Sequence, residues 1–173
     1  HLDDGVELHR GHLEPHLSEL ANHFFVSALG GDLDKAISYC MRAGDYAVTQ
    51  TAYEHAAEQY ERAIEALGLK AQSDQRLECD LLLKLGEARW GSAAFDKARE
   101  ACLQAGKIAE TIRAPAELAR AALGFAGPYP VFEAGIVDEV LVGLLEKALE
   151  LLGESDDTAT AKVMARLAAA LAF

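Results

Sequence analysis

A chain of 173 residues that is 51% hydrophobic and holds only four prolines has the material for a folded core, which sets aside the disordered and fibrous classes. Its 28 acidic residues against 16 basic ones give a formal net charge of −12. A surface that acidic repels phosphate backbones, so direct nucleic-acid binding is not expected of it.

Three cysteines, Cys40, Cys79 and Cys102, include no CxxC pair, which argues against a disulfide framework or a zinc ribbon. They read as small apolar residues in a reducing cytosol. No apolar run reaches the roughly 18 residues of a membrane helix, and His1-Leu2-Asp3-Asp4 is unlike a signal peptide, so a soluble, cytoplasmic chain with no membrane contact is expected.

Residues 1–16 carry His9, His12 and His16 at helical spacings of three and four. Gly11 and Pro15 interrupt that helix, so the stretch reads as a solvated segment left from an upstream domain, not as a metal site; the helical domain proper is expected over 17–173. A first helix is expected over 17–29, with Leu17, Leu20, Ala21, Phe24 and Phe25 on one face and Gly30-Gly31 as its stop. Asp32 is placed to cap a second helix reaching about residue 51, whose stripe is Ala36, Ile37, Cys40, Ala43, Gly44 and Ala47. A third follows over 53–67, with Ala56, Ala57, Tyr60 and Ile64 inward and Glu54, Glu58, Glu61 and Glu65 outward.

Two more helices are expected between residues 76 and 112, with a tight joint at Gly91-Ser92. Pro115 suits the first turn of a sixth, to about residue 125, since its missing amide proton would be unpaired there anyway. The glycines and two prolines of 127–135 break the period although Tyr129, Val131 and Phe132 are large and apolar, so an insertion is expected between the two helices of one hairpin. A seventh helix over 136–152 and an eighth over 158–173 complete the count.

Small residues recur in register along these helices. Leu82, Leu85-Gly86, Arg89, Ala98, Cys102 and Ala105 share their internal spacing with Cys40, Ala43-Gly44, Ala47, Ala56, Tyr60 and Ala63, and Gly44 and Gly86 are 42 residues apart (86 − 44). The order matches the grammar of tetratricopeptide repeats, at a period longer than their roughly 34 residues. The expected fold is therefore all-α: a tetratricopeptide-like right-handed solenoid of antiparallel helix hairpins, about eight helices in all.

The phrases Leu20-Ala21-Asn22-His23-Phe24, Ala43-Gly44-Asp45-Tyr46-Ala47, the run from Ala52-Tyr53-Glu54-His55 to Glu61-Arg62-Ala63, and Ala121-Ala122-Leu123-Gly124-Phe125-Ala126-Gly127 together have a family likeness. The chain resembles the helical-repeat region that follows the nucleotide-binding core in large bacterial ATP-dependent transcriptional regulators of the LuxR type, and in related cyclase-like ATPases. The resemblance implies a sensing or scaffolding role for these residues, with switching and DNA binding carried by other domains of the parent chain. Neither a GxxxxGK[ST] loop nor a basic recognition helix is present here.

Three roles follow for comparison. An enzyme needs a base and a nucleophile or paired acid in a cleft; His23 with Asp32, or His55 with Glu58 and Glu61, lie on ordinary amphipathic helices, so neither catalytic residues nor a cofactor or metal are expected. A binding module uses the concave groove lined by the first helix of each hairpin, here Met41, Asp45 and Val48, then Leu83, Glu87 and Trp90, then Phe125 and Tyr129. Such a groove suits a peptide, a protein or a small-molecule effector. A passive spacer between ATPase and output domains is the alternative. The last helix, with Val163, Met164, Leu167 and Leu171, is expected to leave an apolar face that supports a weak homodimer.

Overall fold

The computed structural model describes residues 16–27, 32–128, 137–153 and 158–172. Among them the chain is all-helical: α1 Leu17–Ser27, α2 Leu33–Thr49, α3 Tyr53–Gly68, α4 Gln75–Gly91, α5 Phe95–Thr111, α6 Pro115–Ala126, α7 Glu139–Leu152 and α8 Thr158–Leu171. None of these helices is long and apolar enough to cross a membrane. They fall into two compact units, 1–74 and 75–173.

In the first unit α2 buries the stripe Ala36, Ile37, Cys40, Ala43, Gly44 and Ala47, and α3 answers with Ala56, Ala57, Tyr60, Ala63 and Ala66. These are mostly small side chains, so the two helices approach closely, with Ile37, Tyr60 and Leu67 as the large apolar residues buried among them. A Cβ on Gly44 would stand 2.5 Å from the ring of Tyr60, whose hydroxyl donates to Asp45 Oδ1 at 2.7 Å. Lys70 Nζ reaches Asp34 at 2.8 Å and closes the other end, which makes the pair antiparallel. Helix α1 lies alongside: Phe24 stacks on Tyr39 with centroids 4.8 Å apart, and Ser18 Oγ meets His55 Nε2 at 2.9 Å. Asp32 does not cap α2 through its side chain, contrary to expectation; its carboxylate turns to Lys35 Nζ at 2.6 Å, one turn into the helix.

The second unit repeats the device. Gly86 of α4 faces Cys102 of α5, where an added Cβ would come to 2.7 Å from the sulfur, and the Cys79 thiol donates to the Ala105 carbonyl at 3.5 Å. The Gly–Tyr and Gly–Cys contacts have the same sequence separation (60 − 44 and 102 − 86). Cys102 also touches α6, since a Cβ on Gly124 would lie 2.8 Å from the same sulfur. Burial pushes the Cys102 thiol up to about 12 and Cys40 to about 11, so both stay protonated as packing groups.

Charge pairs give the directions of the remaining helices. Arg76 pairs with Glu117 at 3.0 Å and Trp90 Nε1 donates to the Gly124 carbonyl at 2.7 Å, so α4 and α6 run parallel. Arg99 pairs with Asp138, and Glu110 with Lys147 at 2.8 Å, so α5 and α7 run parallel as well. Two hairpins, α4–α5 and α6–α7, thus lie side by side in the same sense, with α8 packed against α6 and α7.

Three helix joints share one geometry. Thr51 (φ 56°), Ala93 (φ 59°) and Arg113 (φ 52°) are left-handed, and the next residue, Ala52, Ala94 or Ala114, donates back to the carbonyl of Ala47, Arg89 or Ala109 at 2.8 to 2.9 Å. That is the Schellman arrangement, which glycine ordinarily serves. The expected joint at Gly91-Ser92 therefore falls two residues later: Gly91 is the last residue of α4 and Ala93 makes the turn. The seventh helix starts at Glu139 with Asp138 as its cap, not at residue 136. Most of the sequence expected to form the insertion, 129–135, lies outside the described residues, as does 1–15 with His9 and His12.

Candidate functional site

Helix α4 is squeezed between α5 and α6 and buries Leu81, Leu82, Leu83 and Leu85. Over its middle turns the half-buried Asp80 and Lys84 and the exposed Glu87 come toward solvent as a stripe at spacings of four and three, while Gln75, Arg76 and Gly91 are exposed at its ends. From α6, Arg120 leans across it and donates to Asp80 Oδ1 and Glu87 Oε1, both at 3.3 Å. Burial opposes the charge of that guanidinium, yet the hydrogen bonds and charges of Glu87 and Asp80 outweigh it and hold the arginine above its usual value. The stripe is thus an ordered row of alternating charge along α4.

At the end of this stripe the C-terminus of α6 gathers three long side chains. The orphan carbonyls of a helix end need donors. Trp90 supplies one through Nε1 to Gly124, and Arg166 from α8 supplies two, to Ala126 at 2.5 Å and Gly127 at 3.2 Å. Gly127 (φ 80°) must be bare, because a Cβ there would sit 2.6 Å from the indole. Trp90 also packs on Phe95, centroids 5.2 Å apart. Arg99 lies 4.0 Å over the Phe125 ring and pairs with Asp138, which accepts from the Leu141 amide at 3.1 Å and so caps α7. Burial tends to raise the Asp138 carboxyl, but the Arg99 hydrogen bond and the amides of Leu141 and Val140 hold it below its usual range.

The groove residues named from sequence scatter over these settings. Glu87 lies on the charged stripe, and Trp90 stands beside it, part-buried against the end of α6. Leu83 and Phe125 are core residues, 2% and 5% exposed, because α4 and α6 are covered on two sides; neither offers its side chain to a partner at the surface. In the first unit Met41 is half-buried, Val48 is exposed, and Asp45 is exposed while accepting from Tyr60. Tyr129 lies outside the described residues. Arg99, Arg120 and Arg166, which organise the second unit's surface, leave no signal in the sequence because their partners are 33 to 40 residues away, beyond any local pattern.

The described histidines meet ordinary polar or aromatic neighbours. His55 meets Ser18 and lies 3.6 Å from Glu58, His23 stands edge-on to Phe24, and His16 pairs with Glu19 at 3.1 Å. Among the described residues no group of three or more His, Cys, Asp or Glu side chains is placed to hold a metal. No protein-family model matches this chain, and no curated protein matches it either.

Proposed function

We propose that this chain is a non-catalytic effector- or partner-binding module of tetratricopeptide-like hairpins, stacked right-handed in its second unit, within a cytoplasmic, bacterial ATP-dependent transcriptional regulator. The observation that carries the repeat reading is the paired contact of Gly44 with Tyr60 and Gly86 with Cys102 in one register. An irregular bundle has no reason to reuse it. The sequence resemblance supplies the kind of parent, and the ordered α4–α6 face supplies the surface: Glu87 and Lys84 with Trp90 beside them suit a peptide helix or a cationic effector. Asp45 is a separate candidate contact, offered by the first unit by itself.

A passive spacer is the second reading, and one observation favours it: Arg120 already satisfies Asp80 and Glu87, so the stripe has internal partners. Charge reversal at Asp45→Lys and Glu87→Lys in the complete regulator separates the two. Both side chains are exposed, but Asp45→Lys also removes the acceptor of the Tyr60 hydroxyl, so each variant's helicity and melting temperature are checked beside its response. Loss of the effector response with ATP hydrolysis retained supports the binding module; an unchanged response leaves the spacer.

A further inference from the structure

Among the described residues, helix α8 is packed on one side only, against α6 and α7. Thr160 and Val163 are its buried residues, while Met164 and Leu171 are 55% and 54% exposed, and Ala161, Ala165 and Ala168 are exposed alongside them. Spacings of three and four make this one continuous apolar face, the kind of surface that lone chains keep small.

Charge narrows the choice of what covers it. Every other described helix carries at least one Asp or Glu, whereas α8 carries none and has Lys162 and Arg166 instead. Arg166 is turned away, donating to the end of α6. In a chain of net charge −12, the face of α8 is where two copies meet with least repulsion. An uncharged face also asks for no complementary charge in its partner, so it is complementary to itself. We propose that the outer face of α8 pairs antiparallel, about a two-fold axis, with the same face of a second copy of this chain.

The one cation near the rim does not oppose this. With the axis between Ala165 and Ala168, the two Lys162 positions fall about 14 Å apart along the helices at 1.5 Å per residue. That exceeds the roughly 10 Å over which charges act at 0.1 M salt. One helix face per partner is below the standard interface size of about 1,600 Å², so the pairing is weak and concentration-dependent. It stands apart from the repeat reading above, since it needs only the face and its charge.

Sedimentation equilibrium of this chain over a concentration series tests it. The expected result is a monomer–dimer equilibrium that Met164→Glu with Leu171→Glu weakens at least about a hundredfold, since four carboxylates then crowd one apolar contact and each tenfold needs only 1.4 kcal/mol. Val26→Glu, at a 70% exposed site on α1, should leave the equilibrium unchanged. A parent that stays monomeric to near-millimolar concentration, or a double variant that dimerises like the parent, overturns the proposal. Should the double variant lose helicity, cross-linking decides instead. Ala168→Cys chains should join on oxidation far faster than chains carrying Ala71→Cys in the α3–α4 connection, against native cysteines that are all buried; equal rates overturn the pairing.

Discussion

Cys102 has its sulfur against two helices at once, facing Gly86 on one side and Gly124 on the other. A thiol so placed cannot rotate away from an intruding atom, so Gly86→Leu should cost about 2–3 kcal/mol by overpacking. For a chain of this length that lowers the melting temperature by roughly 5–10 °C. Gly86→Ala should cost less, and combining it with Cys102→Ala should recover about 1 kcal/mol of coupling in a double-mutant cycle. Additive behaviour would show that the sulfur can move aside. These contacts are legible in the sequence as small residues in register, because a glycine at a helix crossing leaves a mark at a fixed offset. Leu83 and Phe125 are misplaced by sequence reasoning for a related reason: spacing tells which residues share a face, but not how many neighbours cover it.

Among the elements, the joints carry the least foreseeable feature. Thr51, Ala93 and Arg113 adopt a left-handed backbone that costs an L-residue about 1–2 kcal/mol. Glycine avoids that strain but loses roughly 0.5–1 kcal/mol in chain entropy. Thr51→Gly should therefore raise stability by about 0.5–1 kcal/mol, and Ala93→Gly by somewhat less, because Thr51 is β-branched and has the worse fit. Equilibrium denaturation in urea reads both, and a loss at Thr51 would mean that its side chain supports the turn. Gly91 draws the joint to itself in the sequence since glycine is the usual signal, yet Ala94 closes the hydrogen bond to Arg89 whatever residue makes the turn. Helix spans are recoverable from the apolar stripes to within a few residues, whereas Asp32 shows that a capping residue type does not make a cap when a lysine one turn on competes for its carboxylate.

Over the protein as a whole, net charge outweighs any single ion pair. The pairs that tie helices together, Arg76–Glu117, Lys147–Glu110 and Lys70–Asp34, each have at least one exposed partner and contribute little individually. The surplus of 12 negative charges acts everywhere. Raising sodium chloride from about 10 mM to about 150 mM shortens the screening length from about 30 Å to about 8 Å, which should relieve that repulsion by more than it weakens the pairs. The melting temperature should rise over this range; a fall would show that the ion pairs between helices, such as Arg120 with Asp80 and Glu87, outweigh the surplus.

The contact of one sulfur with two glycines also bears on how this sequence can change over time. Position 102 cannot enlarge unless the crossings at both 86 and 124 open together, and neither glycine can gain a side chain without a smaller residue at 102. Three positions are tied into one unit of descent, whereas the ring of Tyr60 faces the single glycine Gly44 and can exchange its bulk with that one neighbour. Drift should therefore be slower, and changes more often simultaneous, in the hairpin that holds Cys102 than in the one that holds Tyr60.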